Sequence, residues 1–198
     1  TAQVKSLTSA QLQAMSSTQL QAIETEDLAQ LTAKQIKGMS SGNIAHLSSA
    51  QVGALLISQV KAMSTEQIAA IETQDLVKLG TGQVAALSAS QVKALSTGQV
   101  GSLTTDQVGA IKAKLIASLS SEQTSKLTSA QITALSSAQV KALRTDQLRA
   151  MDSTQIQAIE TDDLAQLTAA QVKSLSTGNI ASLSTAQIGA LKAAQLAV

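Results

Sequence analysis

The chain has 198 residues, a formal net charge of +1, only 14% charged residues, a single histidine (His46) and no Phe, Trp, Tyr, Cys or Pro. These zeros exclude a disulfide framework, a thiolate nucleophile, a cysteine-ligated zinc, a multi-histidine metal site and aromatic stacking on bases or sugars. The sparse, balanced charge leaves no basic footprint for nucleic acid or acidic membranes. The longest strongly apolar run, Ala54–Ile57, is far below the ~18–20 residues that span a bilayer.

An eight-residue repeat runs from one end to the other. Stepping by eight from Gln3 meets 25 positions, of which 24 carry Gln, Asn or Asp and only Leu115 departs. The next residue is aliphatic, from Val4 and Leu12 to Ile188 and Leu196, with Thr124 the sole exception. Four residues after each of these positions stands a second aliphatic, from Leu7 and Met15 to Leu183 and Leu191. A small residue usually precedes that second aliphatic, as at Ala14, Ala62 and Ala134, and Ser or Thr usually follows it, as at Thr8, Ser64 and Ser136. The consensus is Ser/Thr-Ser/Thr-x-Gln-aliphatic-x-Ala-Leu, with no slip of register.

Each slot predicts local structure. Ser/Thr-x-x-Gln, as in Thr8-Ser9-Ala10-Gln11, has the spacing of a capping box, in which the hydroxyl accepts from the third helical amide and the Gln reaches back to the cap's own amide. Gln, Ala and Leu then favour helix, and a new cap arrives eight residues later. The pattern predicts very short helices of about one and a half turns, one per octad, joined by tight corners. A continuous helix would rotate its aliphatic stripe by about 80° per octad. A β-solenoid would want strict alternation, whereas the large aliphatics stand three and then five apart, among Ala and Gln.

Stability has to come from stacking. Ordering eight backbones costs on the order of 8–16 kcal/mol, while two buried aliphatics return about 3–6 kcal/mol, so one octad cannot fold alone and its neighbours must supply the rest. The expected fold is all-α: an elongated superhelical rod, a solenoid of short capped helices, whose number of octads per coil the octad pattern does not fix. Residues 1–198 read as one uninterrupted array, expected to be an excerpt of a longer one. Ser17–Leu55 and Ser153–Leu191 match closely at an offset of 136 residues, which points to block duplication inside it.

Three places replace the hydroxyl cap with a residue that permits helix to continue: Leu56 and Ile57, Lys112, and Lys192. Around the second, Val108, Ile111, Leu115, Ile116 and Leu119 follow ordinary helical spacing, which predicts one longer helix from about Thr105 to Ser118. A weaker pattern predicts the same over Ser49 to Met63.

Candidate chemistry is thin. The acidic clusters Glu24–Asp27, Glu72–Asp75 and Glu160–Asp163 offer oxygen ligands, but their spacing matches no EF-hand or glycine-rich calcium loop. They read better as carboxylates in a first helical turn, favoured by the positive dipole end and replacing Gln in the cap. His46 takes a slot held by Ala elsewhere and has no partner His or Cys, so it reads as a tolerated, partly exposed substitution. Met15, Met39, Met63 and Met151 fill the second aliphatic slot as core, and Lys5, Lys37, Lys61, Lys93, Lys141 and Lys173 share an outward slot. The hydroxyls recur as caps with no base to activate one. Gly42, Gly82, Gly98 and Gly178 form no phosphate loop. No catalytic, cofactor-binding or metal residue is assigned, and an enzyme is not expected.

The reiterated Thr-x-x-Gln-Val/Ile-x-Ala-Leu octads, here Thr104-Thr105-Asp106-Gln107-Val108-Gly109-Ala110-Ile111 and its siblings, resemble repeat tracts of very large bacterial secreted or surface proteins. Those proteins are commonly described as adhesins or haem-utilisation proteins. The resemblance covers essentially the whole chain. It implies secretion or a cell-surface location and a spacer or surface-contact role, with neighbouring repeats of the parent protein as partners and no catalytic residues to carry over. The alternative is a binding module that offers a regular face or groove to a protein, a glycan or ice.

Overall fold

The computed structural model describes residues 2–196. All regular structure among them is α-helix, one short helix of four to six residues for each octad, from Ala2–Lys5 to Ala193–Leu196. The short-helix solenoid read from the octad pattern is the fold. None of these helices is long and apolar enough to cross a membrane.

The capping box closes as the spacing predicts. In the helix Ser9–Ala14 the Gln11 amide donates to Thr8 Oγ1 at 3.2 Å, and the Thr8 amide donates to Gln11 Oε1 at 2.8 Å. The pair recurs at Ser48/Gln51, Ser88/Gln91, Thr104/Gln107 and Thr168/Gln171. Each cap residue is extended, for example Thr104 at φ −69°, ψ 159°. Where the helix runs to six residues, its C-cap is extended too, as at Ile111 with φ −66°, ψ 127°. Two extended residues thus make the corner, and no described residue needs a positive φ. The usual glycine-based helix stop is dispensed with.

The chain divides into two compact units, Thr1–Leu103 and Thr104–Val198. In the first, the helix Ser9–Ala14 packs on Ala33–Gly38, which packs on Ile57–Ala62; Ser41–Ala45 packs on Thr65–Ala70, and Ser49–Ala54 on Thr73–Leu76. In the second, Ser121–Thr124 packs on Thr145–Ala150, Ser153–Gln157 on Thr177–Ser182, and Thr161–Leu164 on Thr185–Ala190. Each partner lies three octads further on. Within each unit three octads therefore make one coil, and the two aliphatic slots of most octads turn inward to a shared core. The first slot is sealed, as at Leu12, Ile36, Ile68 and Ile156, and the second nearly so, as at Leu31, Met39 and Met151.

Both predicted long helices are absent. Thr105–Ala110 ends at Ile111, Lys112 is extended at φ −59°, ψ 140°, and a new helix, Ala113–Ile116, follows. Likewise Ser49–Ala54 stops before the corner at Leu55 and Leu56, and Ile57–Ala62 begins anew. A side-chain cap turns out to be dispensable. The Lys112 carbonyl accepts from Leu115 and Ile116 at 2.7 and 3.2 Å, and the Leu56 amide donates to Gln59 Oε1 at 2.6 Å. Continuing the helix would have carried both aliphatic slots off the coil axis. The burial of Ile111, Leu115 and Ile116 together outweighs the local helical period.

Candidate functional site: the amide ladder and the acidic octads

The glutamine slot does more than cap. Gln51 is buried, with its Oε1 accepting from the Ser48 amide at 2.9 Å, while its Nε2 donates to the carbonyls of Leu20 at 2.8 Å and Ile23 at 2.7 Å. Those carbonyls lie 31 and 28 residues earlier, at the C-terminal end of another short helix. The step repeats in both units: Gln59 to Leu28 and Leu31, Gln91 to Val60 and Met63, Gln139 to Val108 and Ile111, Gln187 to Ile156 and Ile159. One side chain therefore closes the start of its own helix and the end of one in the previous coil. It supplies the donor that the last carbonyl of the turn, such as Ile23, needs in the core, and a second one to the earlier carbonyl, which already accepts a backbone amide, as Leu20 does from Ile23 at 3.2 Å.

Two variants of the slot keep the donor. Asn179 donates from Nδ2 to the Met151 carbonyl at 3.0 Å, and Asn43 to Met15 at 3.5 Å. Thr124, in the first aliphatic slot, is fully buried but satisfied: its hydroxyl donates to the Ser120 carbonyl at 2.9 Å and accepts from Gln147 Nε2 at 3.1 Å.

The acidic octads lose it. Asp27, Asp75 and Asp163 occupy the buried glutamine slot, and their helices start at Glu24, Glu72 and Glu160 with no side-chain cap bond. The expectation that these carboxylates take over the glutamine's part in the cap is corrected here. A carboxylate cannot donate to the previous coil, and none of the three closes a capping box, although Asn43, of the same length, does. The carbonyls 28 and 31 residues before Asp75 belong to Leu47 and Ile44, and the carboxylate offers them nothing. Instead Asp75 Oδ1 accepts from the Ser49 hydroxyl.

A cleft of about 320 Å³ opens there, lined by Gln21, Ala45, His46, Leu47, Ser48, Ser49, Glu72, Gln74 and Asp75. His46 is exposed on its rim, more fully than its slot suggests, and its carbonyl accepts from Gln21 Nε2 at 3.2 Å. Glu72 is held by Gln74 Nε2 at 2.8 Å. The lining carries two carboxylates and no lysine or arginine, so its field favours cationic groups. No three His, Cys, Asp or Glu side chains gather to hold a metal ion among the described residues.

Elsewhere the surface is plain. Lys5, Lys37, Lys61, Lys93, Lys141 and Lys173 are all exposed, and Met39, Met63 and Met151 are buried in the core. Arg144, in a cap slot, pairs with Asp146 at 2.7 Å and reaches back to the carbonyls of Ala117 and Leu119, the latter at 3.2 Å. The guanidinium's hydrogen bond holds the Asp146 carboxyl below its ordinary value, and that bond raises Arg144. The Glu66 carboxyl also lies below its ordinary range, through hydrogen bonds from its own backbone amide, Ser64 and Thr65.

A solenoid of short helical turns, most of them capped and tied to the previous coil by a buried side-chain amide, defines a helical repeat protein. The chain belongs to the ALTTAQ repeat family, which matches residues 20–56, 68–105, 129–158 and 156–193. The letters follow the corner itself: Ala134-Leu135-Ser136-Ser137-Ala138-Gln139 runs from small slot through cap to ladder glutamine. Comparison with curated proteins gives no match.

Proposed function

We propose that this chain is a non-enzymatic spacer segment: a stalk of octad repeats within a bacterial secreted or cell-surface protein of adhesin type. The observation that carries this reading is the uniformity of the ladder. The same glutamine bonds recur at Gln51, Gln91, Gln139 and Gln187, so almost every octad spends its polar side chains on holding the next coil. Such a segment supplies length and stiffness rather than chemistry. The extracellular setting rests on the likeness of the octads to surface-protein repeat tracts.

Antibodies raised against the 198-residue chain test the setting. They should label intact cells that express the full-length protein, and labelling that needs cell lysis would overturn it. Removing whole octads from the full-length protein tests the spacer role. Its outermost part should lose reach in proportion, with attachment retained; attachment lost on removal of any one block would point to binding instead.

The second reading, a binding module, is favoured at one place, the carboxylate-lined cleft beside His46. A cationic segment of a protein partner suits it best. The ice and glycan versions are weakened because cap hydroxyls such as those of Thr8, Ser48 and Thr168 are engaged by helix amides. Thermal hysteresis or glycan-array binding that disappears with Glu72→Gln would favour the module over the spacer.

A further inference from the structure

At Asp75 the ladder has a gap that opens onto a cleft. In a closed rung the side-chain amide donates to the carbonyl 28 residues earlier, as Gln51 does to Ile23 at 2.7 Å, Gln59 to Leu31 at 2.8 Å and the shorter Asn179 to Met151 at 3.0 Å. Opposite Asp75 that carbonyl belongs to Leu47, and it accepts no hydrogen bond from any described residue.

Asp75 and Asn179 have the same length, and each takes a serine hydroxyl on Oδ1, from Ser49 and Ser153 respectively. The difference is one nitrogen: Asn179 has an amide donor where Asp75 has a second carboxylate oxygen. Asp75 is only 5% exposed and forms no ion pair with a described residue. A carboxylate placed so deeply without a cation is costly, and so is a bare carbonyl beside it. One group answers both. A primary ammonium brings the missing charge and three N–H donors on a compact head, enough for the Asp75 carboxylate, the Leu47 carbonyl and one further oxygen. Leu47, Ser49, Glu72 and Asp75 all line the cleft, so the gap is reached from solvent, and no lysine or arginine of the chain lines it. Glu72 adds to the attraction for a cation.

We propose that the cleft binds a primary ammonium group, seated between the Asp75 carboxylate and the Leu47 carbonyl in place of the amide nitrogen of a closed rung. The proposal rests on the binding-module reading of this cleft and adds the group that it recognises. The seated ammonium completes the rung, so that it ties the octad of Asp75 to that of Leu47 as a glutamine does elsewhere. A lysine side chain and a free alkylamine carry the same head, and the test separates them.

The isotope-labelled chain is titrated with an acetyl-Gly-Lys-Gly-amide peptide while NMR follows the backbone amides of Leu47, Ser48, Ser49 and Asp75, which should shift saturably. The Nε-acetyl peptide lacks the charge, and the Nε-trimethyl peptide keeps the charge without an N–H. Both should bind at least about tenfold more weakly, the loss expected when a charged hydrogen bond goes unmade. Asp75→Asn supplies its own amide to Leu47 and should abolish the shifts with helicity unchanged by circular dichroism. Asp106→Asn, at an exposed carboxylate outside the cleft, should leave them as they are. A peptide held more tightly than n-butylammonium assigns the seat to a protein lysine, and equal affinity assigns it to free amines; both support the seat. Absence of shifts with every cationic probe overturns the seat and the binding-module reading together. Trimethyl-lysine bound as well as lysine, or binding that survives Asp75→Asn, overturns the seat alone and leaves a cleft that attracts positive charge.

Discussion

Asn179 and Met151 are joined by a side-chain amide bond of 3.0 Å, at the place in the coil where Asp75 stands opposite Leu47. The two slots share a further neighbour: Ser153 Oγ donates to Asn179 Oδ1 at 3.4 Å, and Ser49 donates to Asp75 Oδ1. Asp75→Asn therefore keeps shape and serine bond while adding a donor for the Leu47 carbonyl. The variant should be more stable by about 0.5–1.5 kcal/mol, or roughly 2–4 °C in Tm per kcal/mol for a chain of this size. Asp163→Asn should act in the same direction. A fall in Tm by thermal circular dichroism would contradict this account.

Removing a closed rung should do the reverse. Gln51→Leu strands the Ile23 carbonyl and the Ser48 amide, at roughly 1–3 kcal/mol for each buried group left without a partner, while the Leu20 carbonyl keeps its bond from the Ile23 amide. Gln11→Leu, on an exposed residue with no carbonyl to serve, should cost only the cap bond to Thr8. Equal losses of denaturation midpoint for the two would remove the second role assigned to the glutamine.

Two glycines should respond oppositely to alanine. A Cβ at Gly189 meets nothing within 4 Å, so Gly189→Ala gains roughly 0.5–1 kcal/mol from reduced backbone freedom in the helix Thr185–Ala190. A Cβ at Gly53 would lie 3.1 Å from the backbone carbonyl of Lys78 in the next coil, so Gly53→Ala must push two coils apart and should lower Tm.

Proline separates the two hydroxyl slots. Ser137→Pro falls on the first helical residue, behind an extended Ser136 at ψ 159°, and should be neutral or mildly stabilising. Ser136→Pro removes the amide that donates to Gln139 Oε1 at 2.8 Å and the hydroxyl that receives the Gln139 amide, a loss of about 2 kcal/mol. Urea titration of both variants reads the difference.

The Arg144–Asp146 pair sets a small acid dependence. Because the Asp146 carboxyl is lowered in the fold, its contribution is present above the unfolded carboxylate range and fades as pH falls through the lowered value. Both side chains are well exposed, so the effect should be no more than about 1 kcal/mol and should shrink in salt. Asp146→Asn should narrow its stability gap to wild type on acidification, which a Tm series across acidic pH would show.

The octad announced its helices, caps and core because each rests on neighbours within four residues. The count of three octads per coil was not legible in the octad, since it is set by helices that pack three octads apart. The corners at Lys112 and Leu56 were hidden, since Val108, Ile111, Leu115 and Ile116 satisfy a continuous helix just as well until neighbouring coils are in place. The second role of glutamine was hidden by distance, its acceptors lying 28 and 31 residues away. One signal did point to it. A capping box accepts Glu as readily as Gln, yet Glu never occupies the slot. A need for a donor accounts for that preference at every glutamine that reaches the previous coil, with Asp27, Asp75 and Asp163 as the exceptions. The cleft beside His46 had no local signature, being made where Glu72 and Asp75 meet residues from an earlier coil.

Because no described residue has a positive φ, no octad among them needs a special residue at its corner that the others could not supply. A block of eight can be copied, deleted or moved, and the donors beyond it find equivalent carbonyls at the same count. Losing a single residue shifts off its acceptor every amide whose span of 28 or 31 residues crosses the gap. Length in this protein is therefore inherited in whole octads, and gene duplication can lengthen it without redesigning any turn.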